Sequence, residues 1–300
     1  MHADRTSDLP ASTVDTTLRV ALPKGRMQEG LFALLREAGV SVRIGARGYR
    51  PTLGLPDTET KLLKPQSIVE MLHQGSRDVG FAGADWVAEL GVDIVEVLDL
   101  ELDPVQLVAA APGALLGLAG RLPSRRLIVA SEYQRLTTLW IAERGMDATV
   151  LRSYGATEVF PPEDADLIVD NTATGETLAA NGLHIFDVLL RSSTRLYASR
   201  AAWADPTRRG RIEDLVLVLR SVLEARRRVM VEVNVTDELL EAVVRVLPCM
   251  REPTIARLHG NAGFAIKAAV PREALATLIP RVKAAGGTDL VVSALAQLVP

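Results

Sequence analysis

Cysteine is nearly missing from this chain: Cys249 is the only one in 300 residues. A single thiol excludes an internal disulfide framework and any metal site built on clustered cysteines, and it suits a reducing cytoplasmic setting. Aromatic residues are scarce, at 4%. The longest uncharged, mostly apolar stretch, residues 107–120, is interrupted by Pro112 and three glycines. It falls short of the ~20 residues that a membrane span needs. An excess of one charge is also lacking. The 34 basic and 37 acidic residues give −3, so the balance offers no reason to expect nucleic acid. His2, His73, His184 and His259 are scattered without ligand spacing and build no zinc motif. What is present, 48% apolar and 24% charged residues, excludes a disordered chain. At ~100–200 residues per domain the length predicts two domains or three. Residues 1–17 are polar, lack the apolar stretch of a signal peptide, and read as a flexible tail.

Short apolar runs alternate with amphipathic stretches through most of the chain. Residues 18–22 read as a buried strand, and Pro23-Lys-Gly-Arg26 as the turn behind it. Leu31, Leu34, Leu35 and Ala38 recur at helical spacing before Gly39. Lys64-Pro-Gln-Ser opens a second helix, residues 78–83 form a strand running into a glycine turn, and 94–100 form another short strand. This rhythm predicts an α/β domain with a mainly parallel sheet. A weaker boundary falls at 104–112. A second α/β unit then has strands at 126–130, 148–151 and 165–170 and a helix over 133–144. After a basic helix around 215–228 the pattern changes. Strands at 229–235, 263–270 and 290–293, with helices at 238–247 and 273–285, fit a βαββαβ ferredoxin-like module.

The most informative segment is Asp166-Leu-Ile-Val-Asp170-Asn-Thr172-Ala173-Thr174-Gly175-Glu176-Thr177. An apolar strand delivers Asp170 to its carboxyl end, the edge where open α/β sheets bind ligands. Residues 172–177 then gather hydroxyls and backbone N–H groups around one glycine before a helix, an arrangement suited to phosphate. The same residue types equally make ordinary helix caps. Lys24, Gly25 and Arg26, on a strand-to-helix turn, suit a polyphosphate or a solvated basic turn. Trp86 is a core residue or a base stacker, and Asp166 a cap or one half of a surface pair. Cys249 beside Pro248 reads as a small buried hydrophobe. Arg226, Arg227 and Arg228 read as a solvated face or an intersubunit patch rather than a nucleic-acid site.

Asp170-(three residues)-Thr-Gly-Glu-Thr-Leu-(two residues)-Asn-Gly-Leu183 resembles the phosphoribosyl-diphosphate loop of the ATP phosphoribosyltransferase family, which opens histidine biosynthesis. Leu18-Arg-Val-Ala-Leu-Pro-Lys-Gly-Arg26, Leu63-Lys-Pro-Gln-Ser-Ile68, Asp78-Val-Gly-Phe-Ala-Gly-Ala-Asp85-Trp86, Ala130-Ser-Glu-Tyr133 and Glu252-Pro-Thr-Ile255 are similar to further family segments in order and spacing. The resemblance implies an α/β fold: a two-lobed catalytic core of the type II periplasmic-binding-protein kind, followed by a ferredoxin-like, ACT-like regulatory domain. Lobe I would comprise 18–106 and 188–224, lobe II 107–187, and the regulatory domain 225–300. ATP and phosphoribosyl diphosphate are the implied substrates. The products are N1-(5-phosphoribosyl)-ATP and diphosphate, and Mg²⁺ is the cofactor, carried mainly by substrate phosphates with no dedicated protein ligands.

In this reading Asp170 and Lys24 are catalytic. Gly25, Arg26, Lys64, Glu158, Thr172, Ala173, Thr174, Gly175, Glu176 and Thr177 bind substrate. Histidine is the implied feedback inhibitor, held by Glu232 and Thr254, in a cytoplasmic homodimer or homohexamer of the long, self-sufficient form. Glu232 alternates with Val231 and Val233, so it equally suits a solvent-facing edge charge, and Thr254 after Pro253 equally suits a turn cap. The chain departs from the family pattern in three places. Lys64 stands where Arg is usual, Glu101-Leu-Asp-Pro104 replaces a Gly-Phe-Gly, and the 158–170 stretch lacks a glycine and is one residue shorter. These changes leave open the alternative of a non-catalytic, histidine- or nucleotide-sensing regulatory paralogue.

Overall fold

The computed structural model describes residues 16–45, 48–117 and 122–299. Most of the tail expected at 1–17 therefore lies outside the described residues. The chain divides into two compact units, one holding residues up to Gln28 together with Arg43–Ile212, the other Glu29–Val42 with Glu213–Pro300. The expected lobe boundaries at 106/107 and 187/188 fall inside two long strands of the first unit.

In chain order the elements begin with β1 (Leu18–Pro23), α1 (Arg26–Glu37), the short β2 (Val42–Arg43) and β3 (Thr52–Leu53), β4 (Thr58–Leu63), α2 (Pro65–His73), β5 (Val79–Gly83) and α3 (Ala84–Leu90). Next come β6 (Val95–Pro112), β7 (Leu127–Ser131), α4 (Gln134–Glu143), β8 (Ala148–Arg152), β9 (Leu167–Thr172), α5 (Glu176–Ala180) and β10 (Leu183–Ala198). Strands β1 and β5 are almost wholly apolar and buried, as strands covered on both faces must be. Gly80 in β5 is needed for this packing, because a Cβ there would lie 2.6 Å from Ile68 Cγ2. Pro65 pre-sets the first turn of α2, which buries Ile68, Val69 and Leu72.

The sheet of this unit has eight strands in the order β4-β1-β5-β10-β6-β9-β7-β8. Pairing is parallel among β4, β1 and β5 and among β9, β7 and β8. It is antiparallel where β10 and β6 join these two sets. The expectation of a mainly parallel sheet is thus corrected to a mixed one. The short strand expected at 94–100 is the first part of an 18-residue strand that runs on through residues 104–112. Proline in a strand belongs at a bulge or edge. Pro104 meets that condition, because the ladder passes from Ser192↔Val105 to Thr194↔Leu102 and so leaves residues 103 and 104 bulged out.

The second unit contains β11 (Arg228–Val235), α8 (Leu240–Val246), β12 (Thr254–Arg257), β13 (Phe264–Pro271), α9 (Leu275–Ala284) and β14 (Thr288–Ala294), preceded by α6 (Arg200–Ala204) and α7 (Pro206–Arg227), of which α6 and the start of α7, to Ile212, lie in the first unit. The sheet order β12-β13-β11-β14 and the βαββαβ succession are those of a ferredoxin-like module. One face of β11 carries Val229, Val231, Val233 and Val235 into a core closed by Val243, Leu278 and Val282. Strand β12 was not among the strands expected from the sequence, because four residues, all exposed, give no alternation to read.

Asp78, 1% exposed, fastens the start of β5 to β1. Its Oδ2 accepts from Arg19 N at 2.7 Å and Arg19 Nε at 3.1 Å, its Oδ1 accepts from Arg19 Nη2 at 2.9 Å, and Arg208 lies at 3.5 Å. Removing one partner of a buried pair strands the others. Asp78→Ala is expected to lower the unfolding free energy by ~3–5 kcal/mol, read as a shifted urea midpoint at pH 7; a shift of under a tenth of that would show that the arginines resolvate freely.

Candidate active site

A cleft of about 340 Å³ opens in the first unit at the carboxyl ends of β1 and β5, where ligands of α/β sheets ordinarily bind. Lys24 and Arg26 reach it from the turn after β1, Asp85 and Trp86 from the start of α3, and Asn171 from the end of β9. Asp103 enters from the β6 bulge, and Ser192, Ser193 and Thr194 from β10. Gly25, at φ +85°, makes the turn between the two cations, a conformation that suits glycine. Neither Lys24 nor Arg26 has an ion-pair partner among the described residues. Two uncompensated cations in a concave site are what an anionic ligand requires.

The cleft is also lined by part of a hydrogen-bonded network that sequence reasoning missed. The Tyr133 hydroxyl donates to Asp85 Oδ2 at 2.6 Å and accepts from Asn171 Nδ2 at 2.7 Å. Ser192 donates to Asp85 Oδ1 at 2.7 Å. Burial, and then the charge of Asp85, push the Tyr133 phenol well above its ordinary pKa, so it remains a donor. Trp86 stacks on the Tyr133 ring at 4.6 Å between centroids and also lines the cleft, so it packs and faces ligand together. The Glu89 carboxylate next caps α4, accepting from Arg135 N and Leu136 N, each at 2.9 Å. The signal in the sequence was weak: polar residues just beyond apolar strands, tens of residues apart.

Asp170 stands where expected, near the end of β9. Burial pushes its carboxyl up to about 6, against hydrogen bonds from Asn171 N and the Thr157 hydroxyl and with help from the charges of Glu132 and Glu158. Glu158, in a short 3₁₀ turn over Thr157–Val159, is thus brought within electrostatic reach of Asp170. Beyond Asp170 the chain turns at Gly175, φ +81°, where a Cβ would also approach Ile185 Cδ1 at 3.3 Å. Thr172 Oγ1 accepts from Gly175 N at 2.9 Å and Thr174 Oγ1 from Glu176 N at 3.4 Å, so both threonines cap the loop. Ala173, Thr174, Glu176 and Thr177 are exposed. The loop does not itself line the 340 Å³ cleft; its neighbour Asn171 does. Lys64 sits at the N-cap of α2 without a side-chain cap, and Pro65, not Lys64, lines the cleft.

Other residues resolve their alternatives. Asp166 is a surface partner of Arg125 at 2.6 Å and accepts from Ile128 N at 2.8 Å; the guanidinium holds its carboxyl below the usual range. Burial, with Glu252 nearby, pushes the Cys249 thiol up, as for an unreactive side chain. Arg226 pairs with Glu37, and Arg227 and Arg228 pair with Glu224. In the second unit Glu232, Lys267 and Thr254 form one row across β11, β13 and β12, with Glu232 and Lys267 2.8 Å apart. Glu232 lies on an inner strand, not an edge, and Thr254 begins a strand instead of capping a turn. Both line a 400 Å³ depression on the sheet face away from the helices. Among the described residues no group of three His, Cys, Asp or Glu is arranged to hold a metal, and no helix is long and apolar enough to cross a membrane.

A mixed eight-stranded sheet that joins two parallel sets through an antiparallel pair, with cations and an acceptor network lining one cleft, defines an α/β ligand-binding unit. The family model described as ATP phosphoribosyltransferase matches residues 64–221, and that of the HisG C-terminal domain matches 225–297. Proteins named ATP phosphoribosyltransferase from Desulforudis audaxviator and Pelotomaculum thermopropionicum are 38% and 36% identical over 289 residues, 94% of this chain and 99% of theirs. A chain of the ATP phosphoribosyl transferase (HisG:HisZ) complex from Thermotoga maritima shares the fold, with a TM-score of 0.61 at 24% identity. That match covers 69% of this chain and 99% of that one. The chain belongs to the ATP phosphoribosyltransferase family, pentosyltransferases of the first step of histidine biosynthesis.

Tyr133→Phe leaves Asp85 Oδ2 and Asn171 Nδ2 without their partner. A loss of ~1–3 kcal/mol in unfolding free energy is expected from chemical denaturation; an unchanged value would mean that water replaces the phenol at no cost.

Proposed function

We propose that the cleft of Lys24 and Arg26 and the 172–177 loop are the two substrate places of an ATP phosphoribosyltransferase reaction. N1 of the ATP adenine displaces diphosphate from the anomeric carbon of phosphoribosyl diphosphate. The observation that carries this reading is the pair of unpartnered cations beside Asn171, the residue that joins the cleft to the loop. The attacking nitrogen already has its lone pair, so no strong base is required. Catalysis then consists of placement and of stabilising charge on the departing diphosphate. Lys24 supplies the compensating positive charge, and Gly25, Arg26 and Lys64 hold polyphosphate beside it. Thr172, Ala173, Thr174, Gly175, Glu176 and Thr177 cradle the 5-phosphate. Asp170, with Glu158, accepts from the ribose hydroxyls and opposes the positive charge that develops on the sugar.

The carboxylates beside the loop fit a divalent cation that brings its own phosphate ligands, and Mg²⁺ is the ion of that habit. Bound with substrate, it would neutralise part of the diphosphate charge. The substrate lobes are 18–106 with 188–224 and 107–187, and 225–300 is the regulatory domain. The C-terminal family match supports the long form, working in the cytoplasm as a homodimer or homohexamer. Free histidine would bind along the Glu232–Lys267–Thr254 row. Its amino group takes Glu232, and the Lys267 ammonium so released takes its carboxylate.

Release of diphosphate from ATP and phosphoribosyl diphosphate tests the reading directly. The intact chain is expected to release it and Asp170→Asn to do so far more slowly; a folded chain without this activity would be a regulatory paralogue. The raised Asp170 pKa fixes the pH behaviour. Its stabilising contribution is complete below ~4, the ordinary value, and is lost as pH rises through about 6. Activity, which needs the ionised form, falls as pH drops through about 6. Asp170→Asn is therefore expected to be more stable than the parent at pH 7.5, by on the order of 2–3 kcal/mol, and no more stable at pH 3.5.

Histidine inhibition, measured with both substrates held fixed, is expected to be lost in Glu232→Ala. Undiminished inhibition in the folded variant removes Glu232 from the site.

A further inference from the structure

Three consecutive hydroxyls of β10 line the cleft, and each has committed its proton to a carboxylate. Ser192 donates to Asp85 Oδ1 at 2.7 Å, Ser193 to Asp99 Oδ1 at 2.7 Å and Thr194 to Asp103 Oδ2 at 3.0 Å. A hydroxyl has one proton, so each of these side chains offers a ligand only the lone pairs left over, after Ser192 accepts from Asp85 N at 3.0 Å and Ser193 from Arg195 Nε at 3.4 Å. Asp103 adds a further acceptor, because its Oδ1 has no hydrogen-bond partner among the described residues. A phosphate oxygen placed here would meet acceptors alone. The side chains of Lys24 and Arg26, which line the same cleft, have only donors. The cleft is therefore polar in a directional sense. It takes a ligand with an anion at one end and neutral hydrogen-bond donors at the other.

The chain accepts strain to place this carboxylate. Asp103 has φ 47° and, two residues earlier, Glu101 has φ 55°, in the left-handed region where glycine is the ordinary residue. The two β6 irregularities there turn the Asp103 carboxylate out of the ladder and into the cleft, a recognised use of bulges beside active sites. We propose that Asp103, beside the acceptors Ser192, Ser193 and Thr194, is a specificity-determining residue that binds the ribose hydroxyls of the nucleotide whose polyphosphate meets Arg26. This rests on the ATP-dependent reading of the cleft. A sugar with two adjacent hydroxyls supplies two donors at the spacing of a carboxylate, and an acidic residue excludes a phosphate from the same place.

The test compares ATP, 2′-deoxy-ATP, 3′-deoxy-ATP and purine riboside triphosphate, which lacks the exocyclic amine. Dissociation constants are measured calorimetrically on the full chain and on Asp103→Gly and Asp103→Asn. Glycine relieves the positive φ, while asparagine keeps an acceptor for Thr194 and turns the second oxygen into a donor. The parent is expected to bind ATP ~10–100-fold more tightly than at least one deoxynucleotide, the difference made by one hydrogen bond to a charged group. Both variants are expected to lose that discrimination by weakening ATP alone, with KM for ATP raised and kcat at saturation retained. Discrimination that survives in both variants, or that is absent from the parent, overturns the proposal. So does a preference that follows the amine and ignores the hydroxyls. If the parent releases diphosphate normally while any of these holds, only the Asp103 role fails. If the parent neither binds ATP nor releases diphosphate, the reading of the cleft fails and takes this role with it.

Discussion

The antiparallel ladder between β6 and β10 is the constraint on which the catalytic unit depends. Each set of parallel strands would otherwise end in an open edge of unpaired N–H and C=O groups. β10 satisfies the edge of β5, β6 satisfies the edge of β9, and the two satisfy one another along nearly their whole length. The alternation of β6 also divides the interior. Leu107, Ala109 and Ala111 enter one core with Tyr133 and Trp140, and Val108 and Ala110 enter another with Leu178 and Leu183.

The same ladder creates the site. A perfectly regular β6 would keep Asp103 in the sheet and pair every residue of β10. Its irregularities leave Ser193 unpaired between Ser192 and Thr194, and place Asp103 in the cleft that all three hydroxyls line. Asp85 then draws the parts together, since it receives protons from Tyr133 of the β7–α4 connection and Ser192 of β10. A buried carboxylate with two donors is well satisfied in hydrogen bonding.

Asp170 shows the opposite balance. It is half-buried near Glu132 and Glu158, with Asn171 N and the Thr157 hydroxyl as its compensation, and its ionised form is disfavoured. Such a group weakens the unliganded fold at neutral pH and gains most from a ligand that supplies donors or positive charge. Strain at Asp103 and desolvation at Asp170 are both costs at residues proposed to meet substrate.

Much was legible in the residues themselves. Apolar β-branched runs, helix spacing and glycine stops identified most elements, and a strand followed by hydroxyls and one glycine identified the Asp170 loop, because these depend on neighbours within a few positions. The long reach of β6 was not legible, since Pro104 and two acidic residues interrupt its pattern and only pairing with β10 accommodates them as bulges. Nor was β12, whose four exposed residues are a strand only because β13 lies alongside. The Tyr133–Asp85–Ser192 network joins positions 48 and 107 residues apart, a distance over which sequence spacing carries no geometry. The sequence by itself determined the residue chemistry, the local elements and the loop. Tertiary structure decided which strands run antiparallel, where the acceptor wall faces and how far the Asp170 carboxyl is raised, because edge pairing, proton direction and desolvation depend on groups that only the folded chain brings together.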